Sequence, residues 1–377
     1  MGETTAPEVI DGRDTLAREI RDSDGSRRGP ARRRPKFHPL TVSRVEQLTE
    51  DAVAVSFDVP AELAADYAFL PGQALTLRRR QGDRDERRSY SICAAAGAPP
   101  RVGVREVPGG FFSSWLVHDV RPGDTIDVLP PEGRFTTDTT VPGDHVFVVA
   151  GSGITPALSL ASTVLADGRS TVTVFYGNRR TSTVMFADEL ADLKDRYGTR
   201  LQLVHVLSRE PRDAEVTSGR LDGQRLRTLL GALVDVGAVD HFWLCGPHEM
   251  VAEARTVLGE AGVPADRVHQ ELFYVDDVPP EPVRGDEQTV DGPSSEVTVV
   301  LDGRSTTLTL PRGVPVLDAA QTVRSDLPFA CKGGVCGTCR AKLTVGTAQL
   351  RRNYALDQSE LDAGYILTCQ ALPTSDA

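Results

Sequence analysis

Cys331, Cys336 and Cys339 stand as C-x4-C-x2-C in "CKGGVCGTC", and Cys369 follows in "GYILTCQA" with 29 residues between it and Cys339. Thiolates are soft ligands suited to zinc or to iron-sulfur clusters, and four of them complete either site. The spacing separates the two. Zinc sites usually pair their ligands as two C-x2-C knuckles, whereas three cysteines in one loop with a distant fourth is the plant-type [2Fe-2S] pattern. Gly333, Gly334 and Gly337 suit that reading, because a loop folded tightly over a cluster needs positive φ and amides turned toward the sulfurs. Cys93 and Cys245 fall instead in strand-like runs, an ordinary place for a small buried residue.

Such a cluster carries single electrons and needs a source for them. "GSGITP" (Gly151 to Pro156) follows an apolar run and opens a helical one. Its glycines let backbone approach a pyrophosphate, and a helix N-terminus adds amides and a positive dipole end. The third glycine of a dinucleotide fingerprint is replaced by Pro156, so this turn alone is a weak signal. Upstream, "RRSYS" (Arg87 to Ser91) sets a guanidinium, an aromatic ring and hydroxyls on one strand, with Arg88 and Tyr90 sharing a face. A flavin asks for those groups: a cation for its pyrophosphate, a flat partner for its ring and a polar group near the ring nitrogens. "PGGFFSSW" (Pro108 to Trp115) offers a second phosphate-binding turn and helix start. His248 and Glu249 in "CGPHEM" read as helix-start residues rather than an acid-base pair.

Elements that could position these groups follow in order. Residues 1–36, with "RRGPARRRPK", carry no apolar periodicity and are expected to be a disordered basic tail. From residue 37 to 140, short Val-, Leu- and Thr-rich runs between Pro and Gly turns predict an antiparallel β-barrel. From 141 to 275, "HVFVVA", "TVTVFYG", "LQLVHVL", "HFWLCG" and "VHQELF" alternate with helical segments and predict an α/β doubly wound parallel sheet. Residues 276–293 hold six acids and four prolines and are expected to be a linker. Residues 294–377 open with two strands meeting at Asp302-Gly303, a hairpin signal, in a small α+β domain that holds the cysteine loop.

A length of 377 residues allows two or three domains, and the net charge of −11 disfavours a nucleic-acid partner. The sequence shows no apolar run long enough to cross a membrane and no secretory signal, so no membrane role and a cytoplasmic location are expected. Six cysteines, four of them at ligand spacing, fit a reducing compartment.

Taken in order, "RSYS", "GGFFSS", "GSGITP", "CGPHEM", "HQELF" and the cysteine loop resemble the ferredoxin-NADP reductase superfamily fused to a plant-type ferredoxin, over residues 37–377. "FHPLTV", "RRSYSICA" and "NYALDQSELDAGYILTCQA" look most like the reductases that serve phenylacetyl-CoA epoxidase. Ring-hydroxylating and ketosteroid hydroxylase reductases share the domain order. The resemblance implies an NAD(P)H-dependent flavin/iron-sulfur oxidoreductase whose β-grasp ferredoxin domain passes electrons to a multicomponent oxygenase, here the di-iron components of the epoxidase. It implies that Arg88, Tyr90 and Ser91 bind FAD, with Tyr90 and Ser91 at the reacting ring. Val104 and Arg105 would follow the adenosine side, and Gly110, Phe111 and Ser113 the phosphates. Gly151, Gly153, Thr155 and Pro156 would form the nicotinamide-nucleotide turn, Thr155 also near the flavin. Cys245, Gly246 and Pro247 would hold the nicotinamide, and Phe273 would be the aromatic that ends the domain. Arg179 and Arg209 follow the second and third strands, and no acid directly ends the second, which favours NADPH over NADH. The alternatives are a reductase component serving another oxygenase, of the ring-hydroxylating or ketosteroid hydroxylase type, and a non-enzymatic electron-carrier component in which the front domains have lost their cofactors.

Overall fold

The computed structural model of the chain describes residues 9–11, 36–82, 84–273, 293–301, 303–324 and 327–376. They divide into a unit spanning residues 35–275 and another that joins residues 1–34 to 276–377. Strand β1 (Val9–Asp11) belongs to the second unit.

In the first unit, β2 (His38–Thr49), β3 (Ala52–Asp58), β4 (Ala74–Gln81), β5 (Arg84–Ser91), β6 (Arg101–Arg105) and β7 (Thr125–Val128) form one antiparallel sheet, ordered β5-β4-β7-β2-β3-β6. A bridge between Ile92 and Val102 brings its two edges together, so the sheet closes as the expected barrel. The pleat sends alternate side chains inward. Leu40 and Val42, Val53, Val55 and Phe57, Leu75 and Leu77, and Val102 and Val104 are each at most 1% exposed. Helix α1 (Phe111–His118) packs on this core through Phe112 and Leu116.

Beyond it, β8 (Asp144–Ala150), α2 (Ile154–Leu165), β9 (Thr171–Asn178), α3 (Ala187–Tyr197), β10 (Leu201–Leu207), α4 (Gly223–Leu233), β11 (His241–Gly246), α5 (His248–Glu260) and β12 (Val268–Leu272) alternate as expected. All five strands are parallel, in the order β10-β9-β8-β11-β12. Helices cover both faces, which is why β8 reads as a continuous apolar run. Connections leave β8 to one side and return to the other at β11. Ligands of such sheets bind outside the carboxyl ends at that switch point. The barrel is fastened there: Arg101 pairs with Glu189 at 2.7 Å, and Ser159 Oγ donates to the Ala94 carbonyl at 2.6 Å.

In the other unit, β13 (Ser294–Leu301) and β14 (Arg304–Pro311) form a hairpin whose Gly303 takes φ +74°, as the two-residue turn requires. Helix α6 (Val316–Ala320), β15 (Arg340–Lys342), β16 (Thr347–Leu350), α7 (Gln358–Asp362), β17 (Tyr365–Leu367) and β18 (Ala371–Pro373) follow. The strand β15 pairs with β17, and β16 lies between β1 and β18. The expectation of a disordered tail is corrected at Val9–Asp11, where extended backbone finds ladder partners on β16 that periodicity within the tail could not reveal. Residues 1–8 and 12–35, and the expected linker apart from Pro293, lie outside the described residues.

Candidate functional site

The first group of candidates lies on β5 and at the start of α1. Arg88 and Tyr90 stand opposite Leu77 and Leu75 and so share the inner face of the sheet. The Arg88 guanidinium pairs with Glu86 at 3.0 Å and keeps 39% of its side chain exposed. The Tyr90 ring lies 6.1 Å from Phe112, and burial holds its phenol well above the ordinary range. Gly109 takes φ +72°, and a Cβ on Gly110 would meet Ser113 Oγ at 2.6 Å and the Val107 carbonyl at 2.8 Å. The turn therefore closes on backbone alone, with Ser113 Oγ accepting from the Val107 amide at 3.0 Å. Arg79, which sequence reasoning missed, stacks 3.9 Å over Phe111 and donates to its carbonyl. A cation, an open helix N-terminus and an aromatic ring on one side of the barrel fit the phosphates and ring of FAD. The Val104 side chain lies in the barrel core, which leaves only its main chain to a ligand.

Arg105 reaches from the barrel to the nucleotide domain. Its Nη2 donates to the Thr183 carbonyl at 2.5 Å, its Nε lies 3.4 Å from Asp51, and its tip borders Gly151. Gly151 has φ +55°, and its carbonyl accepts from the Tyr176 hydroxyl at 2.9 Å. Gly153 meets the other turn of the switch point, since a Cβ there would lie 2.2 Å from the Cys245 carbonyl oxygen. Thr155 and Pro156 are buried in α2, and Thr155 Oγ1 donates to the Ser152 carbonyl at 3.0 Å. Pro247 caps α5 and is exposed. Two glycine turns touching at the switch point, beside a cation, fit a dinucleotide pyrophosphate.

Glu271, inside the "HQELF" motif but not singled out from it, joins the two domains. Ser91 Oγ donates to Glu271 Oε2 at 2.7 Å, and Glu271 stands opposite Cys245 in the β11–β12 register. Burial pushes its carboxyl up to about 7, partly offset by the Ser91 hydrogen bond. Burial, then the Glu271 charge, pushes the Cys245 thiol well above its ordinary range. The buried thiol therefore stays protonated at physiological pH, beside a carboxyl whose ionisation is shifted toward neutrality. The signal for it was an acid on a strand otherwise expected to be covered. Phe273 packs against the core of the nucleotide domain.

Arg179, Arg180 and Arg209 are exposed at the ends of β9 and β10, and the Arg209 amide donates to the Arg179 carbonyl at 2.8 Å. An acid does lie close by: Glu210 accepts from the Thr181 amide at 2.8 Å and its hydroxyl at 2.7 Å. Its two oxygens are held by the loop.

In the other unit the cysteine sulfurs lie as two neighbouring pairs, Cys331 beside Cys336 and Cys339 beside Cys369. Among the described residues, no three ligating side chains converge on a single-ion position. Two pairs match the demand of two irons, each taking two thiolates. The Gly333 amide points at Cys331 Sγ from 3.3 Å, and Gln370 Nε2 lies 3.6 Å from Cys369 Sγ while donating to the Lys332 carbonyl at 2.8 Å. Gly334 and Gly337 have φ of +81° and +68° as expected, but in the Cys331 turn it is Lys332, at +52°, that takes the positive angle rather than Gly333. Cys339 and Cys369 are buried, whereas Cys331 and Cys336 remain partly exposed.

Three families match in the same order: an oxidoreductase FAD-binding domain over residues 39–137, an oxidoreductase NAD-binding domain over 147–256, and a 2Fe-2S iron-sulfur cluster binding domain over 299–374. The chain is 40% identical over 346 residues to the E component of the 1,2-phenylacetyl-CoA epoxidase of Escherichia coli strain K12, covering 90% of this chain and 96% of that one. The chain belongs to the ferredoxin-NADP reductase superfamily. This reductase is also 35% identical to the ferredoxin reductase component of 3-ketosteroid-9-alpha-monooxygenase of Rhodococcus rhodochrous, over 89% of this chain and 94% of that one. Phthalate dioxygenase reductase shares its fold with a TM-score of 0.61 at 23% identity, over 90% of this chain and 96% of that one. The reductase is an NAD(P)H-dependent flavin/iron-sulfur oxidoreductase, a component of an oxygenase system. Among its described residues no helix is long and apolar enough to cross a membrane.

Proposed function

We propose that this reductase passes electrons from NADPH through FAD and a [2Fe-2S] cluster to the di-iron oxygenase of a phenylacetyl-CoA epoxidase. FAD accepts two electrons as a hydride and releases them singly, and a two-iron cluster relays one at a time. In this reading Arg88, Gly110, Phe111 and Ser113 hold FAD phosphates, while Tyr90 covers the ring. Gly151 and Arg105 receive the NADPH pyrophosphate at the turn that Gly153 and Pro156 shape, and Thr155 braces it through Ser152. Cys245, Gly246 and Pro247 set the nicotinamide in place, with Phe273 behind them. Ser91 and Glu271 hold the proton that balances charge at the ring. Cys331, Cys336, Cys339 and Cys369 ligate the cluster.

The choice of acceptor rests on the greater identity to the epoxidase component than to the ketosteroid reductase component. The same comparison keeps a ketosteroid or ring-hydroxylating oxygenase as the second reading, because the lower value is still spread over nearly the whole chain. NADPH is favoured because Arg179 and Arg209 offer cations to a 2′-phosphate while Glu210 is bound to Thr181. The test is NADPH consumption coupled to loss of phenylacetyl-CoA when the protein joins the purified di-iron epoxidase. Tight coupling that vanishes without the reductase supports the reading. NADPH oxidation with no substrate loss overturns the acceptor.

A further inference from the structure

Strand β1 stands opposite β16 in a defined register, Val9 to Gln349, Ile10 to Ala348 and Asp11 to Thr347. The far edge of β16 is already used. There the Thr347 amide donates to Ser375 Oγ and the Thr347 carbonyl accepts from Thr374, both at 3.0 Å, while the Arg351 amide donates to the Gln370 carbonyl at 3.0 Å. Residues 347 and 351 thus turn their peptide groups toward β18. Peptide groups alternate sides along a strand, so Ala348 turns its N–H and C=O toward Ile10. With β1 in place Ala348 is 3% exposed. A peptide group covered by a neighbouring strand takes its hydrogen bonds from that strand, and β1 stands in the register that supplies them.

We propose that the outer edge of β16 is a docking site for an extended segment, and that Val9–Asp11 of the same chain is its occupant. The ferredoxin domain is then tied to the flavin-bearing unit twice, once through residues 274–292 and once through residues 12–35. The occupant suits the site: Val9 and Ile10 are β-branched, the residue class that fits a pleated surface, and Asp11 ends the run with a charge. Three residues pair weakly as a free peptide. Carried on the same chain, they act at a local concentration on the order of millimolar. The 24 residues 12–35 span up to roughly 80 Å when extended, so the connection has the length to serve within one chain. The arm lies outside the family matches, which begin at residue 39. It also gives β16 what an exposed edge otherwise lacks, protection from pairing with another molecule.

Hydrogen exchange on the intact holoprotein tests this. Ile10→Pro removes the amide facing Ala348 and blocks the ladder, and deletion of residues 1–11 removes the strand altogether. In both variants the peptide covering β16 is expected to exchange at least about tenfold faster, while the β13–β14 hairpin keeps its rate. Unchanged exchange at β16 in both variants would overturn the docking site. Protection in the parent protein that falls on dilution, with a concentration-dependent mass by light scattering, would overturn the assignment to the same chain and place the arm on a second copy.

Discussion

Ser91 and Glu271 lie 180 residues apart in sequence and meet at 2.7 Å, so this hydrogen bond belongs to a pair that neither strand defines alone. The Glu271 carboxyl, ordinarily near 4.5, is pushed up to about 7 by burial. Between those values the folded protein holds a proton that the unfolded chain has lost, and stability falls as pH rises through the window. Glu271→Gln keeps a hydrogen-bond acceptor for Ser91 and removes the charge. The variant is expected to be more stable than the parent by on the order of 1–3 kcal/mol at pH 8 and equal to it near pH 4.5, read from urea unfolding at both values. A parent and variant that differ equally at both pH values would mean that the carboxyl does not titrate in this range. Arg88 is a different case, because its guanidinium is held by Glu86 and still partly exposed. Arg88→Ala is expected to weaken FAD retention at least about tenfold, as loss of a charge-assisted hydrogen bond worth roughly 1.5–3 kcal/mol implies. Dialysis followed by flavin absorbance checks it.

At the level of elements, the touching turns at the switch point leave no room for a side chain. Gly153→Ala would set a Cβ 2.2 Å from the Cys245 carbonyl oxygen, a backbone atom that no rotamer change can move aside. The expected cost is about 1–3 kcal/mol of stability with a marked rise in KM for NADPH, measured together on the same preparation. Strands β8, β11 and β12 also carry a histidine group at their other ends. The Trp243 indole donates to His145 Nδ1 at 3.2 Å, the His145 and His241 rings stack 5.1 Å apart, and His241 Nδ1 lies 3.1 Å from His269 Nε2. Protonating His145 at Nδ1 would set two donors face to face. Burial, then the neighbouring His241, pushes His145 down to about 4 against the opposing pull of Asp240, Asp144 and Asp167. The unfolded chain binds this proton first, so stability present above pH 6.5 is lost as pH falls toward 4. A loss of about 2–3 kcal/mol is expected from this group, and His145→Asn, which keeps an acceptor for Trp243, should flatten that slope in an acid unfolding series.

At this same level the sequence was legible where local pattern and tertiary demand coincide. The short Val-, Leu- and Thr-rich runs of β3 and β4 between turns, and the continuous run of β8 with the strand-helix alternation around it, announced a barrel and a parallel sheet because burial on one or two faces leaves those signatures. The cysteine spacing was legible for a similar reason, since one loop must wrap one cluster. Arg105, Glu210 and Glu271 were not readable in the same way. Their partners, Thr183, Thr181 and Ser91, come from other strands or loops, and no local periodicity encodes a contact of that kind. The strand at Val9–Asp11 was hidden more deeply still, because its partner lies at the far end of the chain, at Thr347 to Gln349.

On the scale of the whole molecule, electrons enter and leave through different units, and a single substitution should separate the two halves. Flavin reduction depends on the barrel and the nucleotide domain, which are fastened to each other by Arg101 with Glu189 and by Ser91 with Glu271. None of these groups belongs to the cysteine loop. On the proposed route, delivery to a one-electron protein acceptor depends on the cluster, and Cys331 and Cys336, the partly exposed cysteines of the four, would mark its more accessible side. Cys336→Ser replaces a soft thiolate by a hydroxyl that binds iron poorly. The variant is expected to bleach its flavin with NADPH at the parent rate and to reduce ferricyanide as before. Reduction of cytochrome c should fall by at least about tenfold, together with loss of the visible absorption of the cluster. If cytochrome c reduction stayed at the parent rate after that absorption had gone, electrons would be leaving directly from the flavin. The ferredoxin domain would then be an attachment to the reductase rather than its outlet.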